Sequence, residues 1–230
     1  MVKINNRNRL ILTIISLLYG VAGFGQCVEF LGEQGFTESG TFSLDMVAGN
    51  NGELYVAFSD PSVSGRLSVM QYNGTDWVYV GDPGISDDEI IFEPDIEVGL
   101  DGAVSVAYID LGSVSVQQFD GSSWDYLGNQ FIGGNNSLSV ALETIGDVPV
   151  VVFNYFLGGD LQSALYYFDG IGWDFQFEIA EAGVSNLDLA YDESDGSIYL
   201  CYTVFSDPQL QLLKFDDIVN STTPSFIVSG

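Results

Sequence analysis

The sequence contains no histidine and very few basic residues. Five Lys and Arg stand against 32 Asp and Glu, which gives the 230-residue chain a formal net charge of −27 at pH 7. Without His, the chain has no Ser-His-Asp or Cys-His mechanism and no metal site built on imidazole. Without an Arg cluster, it has no guanidinium clamp for a carboxylate. Nucleic acid is excluded as a partner and anionic membrane surfaces are disfavoured, because no basic patch exists to replace counterions.

Cysteine is also scarce, whereas apolar and aromatic residues are abundant. The chain is 47% hydrophobic and contains 16 Phe and 12 Tyr, which is too apolar for a disordered protein. Its two cysteines, Cys27 and Cys201, would pair if the N-terminal strand docked onto the last part of the fold. The alternative is that Cys201 is a small buried residue of an apolar strand. The sequence leaves both interpretations open.

Residues 1–25 have the pattern of an export signal. A short basic region precedes an apolar run at 10–18, and Gly23 and Gly25 are the small residues before a cleavage site. An uncleaved membrane anchor is disfavoured because a span needs about 20 apolar residues, and a lipoprotein is disfavoured by a poor lipobox. We therefore expect residues 26–230 to be secreted or displayed at the cell surface, without membrane insertion after removal of the signal.

A unit of about 48 residues recurs along the rest of the chain. Its marker is an aromatic residue followed by Asn or Asp, Gly, two variable residues and Trp. Three copies end at Trp77, Trp124 and Trp173, and a degenerate copy begins at Phe215. A fixed period of this size, built from short apolar runs, indicates the blades of a β-propeller.

Each unit contains four apolar runs separated by turn residues, which predicts an all-β propeller of about four four-stranded blades. The repeats cover approximately 37–85, 86–132, 133–182 and 183–230, and residues 27–36 match the fourth run of a unit and form an extra outer strand. This count fits a closed four-bladed ring whose edge is capped by the surplus strand. It fits part of a larger propeller equally well.

Two segments carry a resemblance to a known family. These are Asp120–Gly128, which reads DGSSWDYLG, and Gly102–Asp110, which reads GAVSVAYID. Over residues 28–230 the repeats resemble secreted or cell-surface β-propeller proteins of the Bacteroidetes type. The resemblance implies a propeller and an extracellular location, and it implies no particular activity. Proteins of this kind often end in a sorting domain for type IX secretion, and the lack of one here favours a truncated sequence.

Three acids occupy one repeated position near the start of the first strand of a unit. They are Asp45, Asp95 and Asp188, and Ser139 stands at this place in the third unit. Innermost propeller strands line the central channel, so these oxygens would converge on its axis, where Ca²⁺ takes six to eight oxygen ligands. The alternative is that each Asp accepts hydrogen bonds from backbone amides of the adjacent blade.

The repeated tryptophans have two interpretations of their own. Trp77, Trp124 and Trp173 could be platforms on which sugar rings stack, or they could pack between blades beside the Asn/Asp-Gly turn. The longest irregular connection, Asp82–Glu93, is acidic and is a further place for a partner or a cation.

These observations predict an exported, non-enzymatic binding module for an extracellular protein or glycan, with Ca²⁺ as the one cofactor that the residues suggest. A glycoside-active enzyme that uses two carboxylates is the first alternative, because it is the only catalysis that the residue types allow. A structural repeat segment of a larger adhesin is the second.

Overall fold

The computed structural model describes residues 29–38, 40–87, 92–179 and 183–216. The predicted export signal, Cys27 and the last fourth-type run lie outside these ranges. All strands belong to one compact unit, residues 31–230. Within the described ranges, no helix has the length and apolar character needed to cross a membrane.

Fifteen strands in the described residues form four antiparallel sheets, and each sheet is one blade of an all-β, four-bladed propeller. The first three blades have four strands each, and the described residues of the fourth blade form three. Blade 1 consists of β1 (Leu44–Ala48), β2 (Leu54–Asp60), β3 (Arg66–Tyr72) and β4 (Trp77–Tyr79). Blade 2 consists of β5 (Phe92–Val98), β6 (Val104–Asp110), β7 (Ser113–Phe119) and β8 (Trp124–Tyr126). Blade 3 consists of β9 (Val140–Ile145), β10 (Val148–Leu157), β11 (Asp160–Phe168) and β12 (Trp173–Ile179). Blade 4 consists of β13 (Val184–Asp192), β14 (Ser197–Val204) and β15 (Asp207–Asp216).

The strands follow the predicted apolar runs, and β4, β8 and β12 each begin at the marker tryptophan. The first hairpins of blades 1 and 2 turn at Gly52 and Gly102, where φ is +86° and +85°. A residue with a Cβ rarely adopts such angles, which is why glycine follows Asn or Asp at these tips. Strand β6 is buried at every position, as expected for a middle strand covered on both faces.

The blades contact one another in chain order. The innermost strands touch in the series β1, β5, β9, β13, and the series does not return, because β13 and β1 share no contact of comparable extent in the described residues. Each junction between blades is a layer of buried apolar side chains. Between blades 1 and 2, for example, Leu67 and Val69 pack with Ile96, Val106 and Tyr108.

The N-terminal segment lies beside blade 1 in the position that the fourth strand of a preceding blade would occupy. The carbonyl of Leu31 accepts a hydrogen bond from Trp77 Nε1 at 2.9 Å, and Phe36 stacks on the Trp77 ring at 4.7 Å between centroids. The described residues 29–38 contain no assigned strand. The sequence predicted an outer strand over residues 27–36, whereas the described part of this segment forms bends and turns beside blade 1.

We expect the junction layers to dominate the stability of the fold. Ile96 is 1% exposed between blades 1 and 2, whereas Ile171, at the tip of a blade 3 turn, is 86% exposed. Replacing Ile96 by Ala should lower the free energy of unfolding by about 2–4 kcal/mol because a cavity replaces buried methylenes. Ile171→Ala is the matched control and should change it by less than about 0.5 kcal/mol. Urea unfolding of the two variants measures the difference, and equal losses would contradict this description of the core.

Candidate functional site

Of the four polar residues predicted to converge on the axis, the structure places three at one register position of the innermost strands and Ser139 at another. Asp45 lies opposite Ala57, Asp95 opposite Ala107, and Asp188 opposite Cys201, so the three acids share one register position. In blade 3, this position opposite β10 belongs to Ala141, which pairs with Val152. Ser139 lies two residues earlier and is buried against Asn154, whose Oδ1 accepts from the Ser139 amide at 2.9 Å.

The first hairpin of blade 3 explains this error. Its paired residues Ile145 and Val148 are separated by two residues only, whereas Ala48 and Leu54 of blade 1 are separated by five. A shorter loop moves the position that faces the axis two residues towards the hairpin tip. Apolar runs reveal the strands but not this shift, because register depends on the turn that joins them.

Two of the three acids connect neighbouring blades. Asp45 Oδ2 accepts a hydrogen bond from the amide of Ile96 at 3.0 Å, and Asp95 Oδ2 accepts one from the amide of Leu142 at 2.8 Å. The alternative interpretation of these acids, as acceptors for amides of the adjacent blade, is therefore confirmed for Asp45 and Asp95. The amides belong to innermost strands, each of which pairs with its own sheet along one edge only and leaves the other edge without a strand partner.

Sequence analysis missed two glutamates that extend the acidic axis. Glu97 and Glu143 lie one alternation further along β5 and β9 than Asp95 and Ala141. Glu143 makes the connection to blade 4 that Ala141 cannot make, because its Oε2 accepts from the amide of Tyr191 at 2.9 Å. Residues two apart on a strand point to the same face, so both glutamates could have been predicted once the position that faces the axis was known in each blade.

Burial raises the pKa of three of the axial acids, Asp95, Glu97 and Glu143. Desolvation is the main cause in each case, and neighbouring negative charges add to it. The pKa of Asp95 is raised to about 7, with Asp45 and Asp188 contributing, and that of Glu97 to about 8, with Glu143 contributing. Burial also raises the pKa of Glu143. The axis therefore concentrates carboxyl groups that retain protons close to neutral pH.

The calcium prediction gains no geometric support from this arrangement. No group of three or more His, Cys, Asp and Glu side chains within the described ranges is placed to hold a metal ion. The carboxylates of Asp45 and Asp95 are turned towards backbone amides instead. A cation site at the axis stays a prediction of the sequence pattern.

The marker tryptophans join consecutive blades. Trp124 Nε1 donates to the carbonyl of Val80 at 2.7 Å, and Trp173 Nε1 donates to the carbonyl of Leu127 at 2.7 Å. At the first of these contacts, Gly81 approaches the Trp124 ring so closely that an added Cβ would lie 3.0 Å from it. These contacts agree with packing between blades. Sugar stacking on Trp77, Trp124 and Trp173 remains an untested prediction.

Two open clefts of similar size recur between blades, on the side of the first hairpins. One of about 450 Å³ lies between blades 1 and 2, and one of about 470 Å³ lies between blades 2 and 3. Each is lined by the aromatic-Asp-Gly turn of the later blade and by an aliphatic residue of the earlier one. The paired lining elements are Phe119–Gly121 with Val80 in the first cleft and Phe168–Gly170 with Leu127 in the second.

Polar groups lie along the same clefts. Gln118 lines both, and its Nε2 donates to Ser105 Oγ at 3.1 Å, which leaves its amide oxygen available to a ligand. Gln71, one repeat earlier, has the equivalent arrangement with Tyr55 OH at 2.9 Å. Asp101 borders both clefts, and Asp147 Oδ1 accepts from its amide at 2.9 Å. Sequence analysis did not select these residues, although a Gln directly before the marker aromatic at 71 and 118 was a detectable signal.

The remaining predicted positions contribute less to a site. The connection Asp82–Glu93 is described at residues 82–87 and 92–93, and the amide of Asp87 donates to Asp110 Oδ2 at 3.3 Å. Cys201 is half-buried and forms no disulfide with another described residue. The proposed pairing of Cys27 with Cys201 cannot be compared with the structure, since Cys27 lies outside the described residues.

No family model and no curated protein matches the chain, but solved structures do. A mutant of the Aleuria aurantia lectin in complex with Fucα1-6GlcNAc matches with a TM-score of 0.57 at 15% identity, covering 82% of this chain and 62% of the lectin. The BP39L lectin from Burkholderia pseudomallei matches with 0.57 at 16% identity, covering 86% and 58%. The α-L-arabinofuranosidase Arb93A from Fusarium graminearum, in complex with an iminosugar inhibitor, matches with 0.56 at 9% identity, covering 86% and 68%.

These similarities establish the fold and leave the activity open. Lectins and a glycosidase match equally well, so neither enzymatic nor purely binding activity follows from them. The chain spans less than two thirds of the length of either lectin.

The axial acids should make stability depend on pH. Glu97 has a folded-state pKa of about 8 against an ordinary 4.5, so the folded state retains a proton that the unfolded state loses. The contribution of Glu97 to the free energy of unfolding should therefore be most favourable below pH 4.5 and should fall as the pH rises to 8. Glu97→Gln should be more stable than the parent at pH 8.5, by roughly 1–2 kcal/mol, and similar to it at pH 4.5.

Denaturant unfolding at both pH values measures this effect. The exposed Glu193, on the first hairpin of blade 4, provides the control Glu193→Gln, which removes the same formal charge away from the axis. If both variants change stability equally at pH 8.5, the buried acidic axis is not the cause.

Proposed function

We propose that this protein is an exported, non-enzymatic module that binds glycans in the clefts between its blades. The observation that carries the proposal is the recurrence of one cleft at two successive junctions, with equivalent lining elements and nearly equal volumes. Packing alone requires the apolar layers between blades. It does not require an open cleft with available polar groups at the same place in each junction.

The lining residues match the chemistry of a sugar ring. A pyranose has apolar C–H faces and a rim of hydroxyl groups, so it needs an aliphatic or aromatic wall beside acceptors and donors. Val80 or Leu127 with the neighbouring Phe provides the wall, and Gln118 and Asp101 provide polar groups. Volumes of about 450–470 Å³ lie within the range of small-ligand sites and suit a short oligosaccharide better than a protein surface.

The charge of the chain favours neutral glycans. With a net charge of −27 and carboxylates such as Asp101 and Asp147 beside the clefts, uronic and sialic acids would be repelled. No described basic side chain lines either cleft to offset that repulsion. The export pattern of residues 1–25 and the resemblance to Bacteroidetes surface propellers support an extracellular encounter with such glycans.

Binding to an array of neutral and acidic oligosaccharides tests the proposal. We expect the parent protein to retain neutral glycans only. Gln118→Ala alters both clefts and should weaken binding about tenfold or more, since a ligand hydroxyl loses its hydrogen-bond partner. Gln162→Ala, on β11 and outside both clefts, is the matched control and should bind like the parent. Equal binding by the two variants, or absence of binding by the parent, would contradict the proposal.

The raised pKa values at the axis support a second candidate, a glycoside-active enzyme that uses two carboxylates. Asp95 and Glu97 retain protons near neutral pH, as a general acid must. We regard this as the weaker candidate because Asp95 is engaged by the amide of Leu142 and neither acid lines either cleft.

Hydrolysis assays separate the two candidates. We expect no release of p-nitrophenol from a panel of p-nitrophenyl glycosides that includes α-L-arabinofuranoside. Turnover that is present in the parent and lost in Glu97→Gln, with the fold intact by circular dichroism, would favour the enzyme.

A further inference from the structure

The first and the last described blades carry apolar faces that no other described blade covers. Met46 of blade 1 occupies the register position of Ile96, Leu142 and Leu189 in the other three blades, one residue after the position of the axial acids. Those three residues are buried against the preceding blade, whereas Met46 is 59% exposed and no other described blade packs on it. Leu44, two residues earlier, is exposed as well. We call this side of β1 face 1.

The opposite end has a matching face on blade 4. Leu210 and Leu212 lie five and three residues before the marker Phe215, as Leu67 and Val69 lie before Tyr72. Leu67 is fully buried against the next blade, whereas Leu210 is 71% exposed. Leu212 is exposed and the neighbouring Cys201 thiol is half-buried. We call this side of β14 and β15 face 4.

The three internal junctions show how such faces pair. At each junction, residues at the positions of face 4 pack against residues at the positions of face 1. At the first, Leu67 and Val69 pack with Ile96. At the second, Val114 and Val116 pack with Leu142. Face 4 and face 1 therefore carry apolar residues at the same positions as the surfaces that pack together at the internal junctions.

One hydrogen bond would also be completed by this pairing. Asp45 and Asp95 each accept from an amide at the Met46-equivalent position of the next blade. Asp188 has no hydrogen-bond partner in the described part of the chain and stands where it would accept from the amide of Met46 across a junction of face 4 with face 1.

We propose that a second copy of this chain occupies both faces, with blade 4 of each copy packed on blade 1 of the other in a closed head-to-tail ring. Within one copy the two faces stand at opposite ends of the blade series, and both are exposed. If the two copies are related by a two-fold rotation, a second copy satisfies both faces at once through two identical junctions.

The charge of the chain predicts how this association responds to salt. Two copies with a formal charge of −27 each repel one another, and salt screens that repulsion with a Debye length of about 8 Å at 0.15 M. The apolar contacts persist at high salt. The dimer should therefore dissociate about tenfold more readily in 20 mM than in 500 mM NaCl, and this direction is opposite to that of an interface held by ion pairs.

The test is the mass of the protein in solution, measured by light scattering and sedimentation over a range of concentrations. Met46→Asp damages face 1 and Leu210→Asp damages face 4. Both side chains are exposed in the single copy, so each variant should fold with an unchanged near-ultraviolet spectrum. Ile171→Asp is the matched control, because Ile171 is exposed and lies on neither face.

We expect the parent and Ile171→Asp to be dimers and each face variant to be a monomer. A mixture of Met46→Asp with Leu210→Asp should recover heterodimers, because one of the two junctions then joins an intact face 4 to an intact face 1. A monomeric parent at all concentrations in 500 mM NaCl would overturn the proposal. So would a Leu210→Asp variant that remains dimeric while Met46→Asp does not, because that result means face 1 pairs with itself.

Discussion

The packing of each sheet between two neighbours is the constraint on which the rest of this structure depends. A middle strand such as β6 is buried along its whole length, so a single blade cannot cover its own apolar faces. The blades are stable together because each junction buries a layer from both sides, as Leu67 and Val69 do with Ile96. The marker tryptophans and the axial acids make contacts at these same junctions, so their repetition follows the repetition of the junction.

The acidic axis follows from the same constraint. The innermost strand of every blade has one edge without a sheet partner, and its amides need acceptors. Carboxylates of the neighbouring blade meet that need at Ile96, Leu142 and Tyr191. Because all innermost strands surround one axis, acids that satisfy separate junctions also face one another, and their desolvation raises the pKa values of Asp95 and Glu97. A perturbed pKa at this place is thus explained by architecture without any catalytic role.

Much of the fold could be predicted from the sequence, because both the marker period and the apolar runs are local signals. The starts of β4, β8 and β12 follow directly from the tryptophans. Register could not be predicted as well, since the short hairpin of blade 3 places Ala141 where Ser139 was expected. The clefts were missed for a related reason. They arise between blades, from residues such as Val80 and Gln118 that are distant in the sequence and become neighbours only when two sheets pack.

The two exposed faces and the acidic surface have opposite effects on what this chain contacts. Faces at which Met46 and Leu210 remain exposed favour association with any apolar partner. A net charge of −27 opposes close approach of anything acidic, including another copy. In the dimer that we propose, numerous complementary apolar contacts between face 4 and face 1 must outweigh that repulsion. At the clefts of the proposed function, the same repulsion would favour neutral ligands over acidic ones.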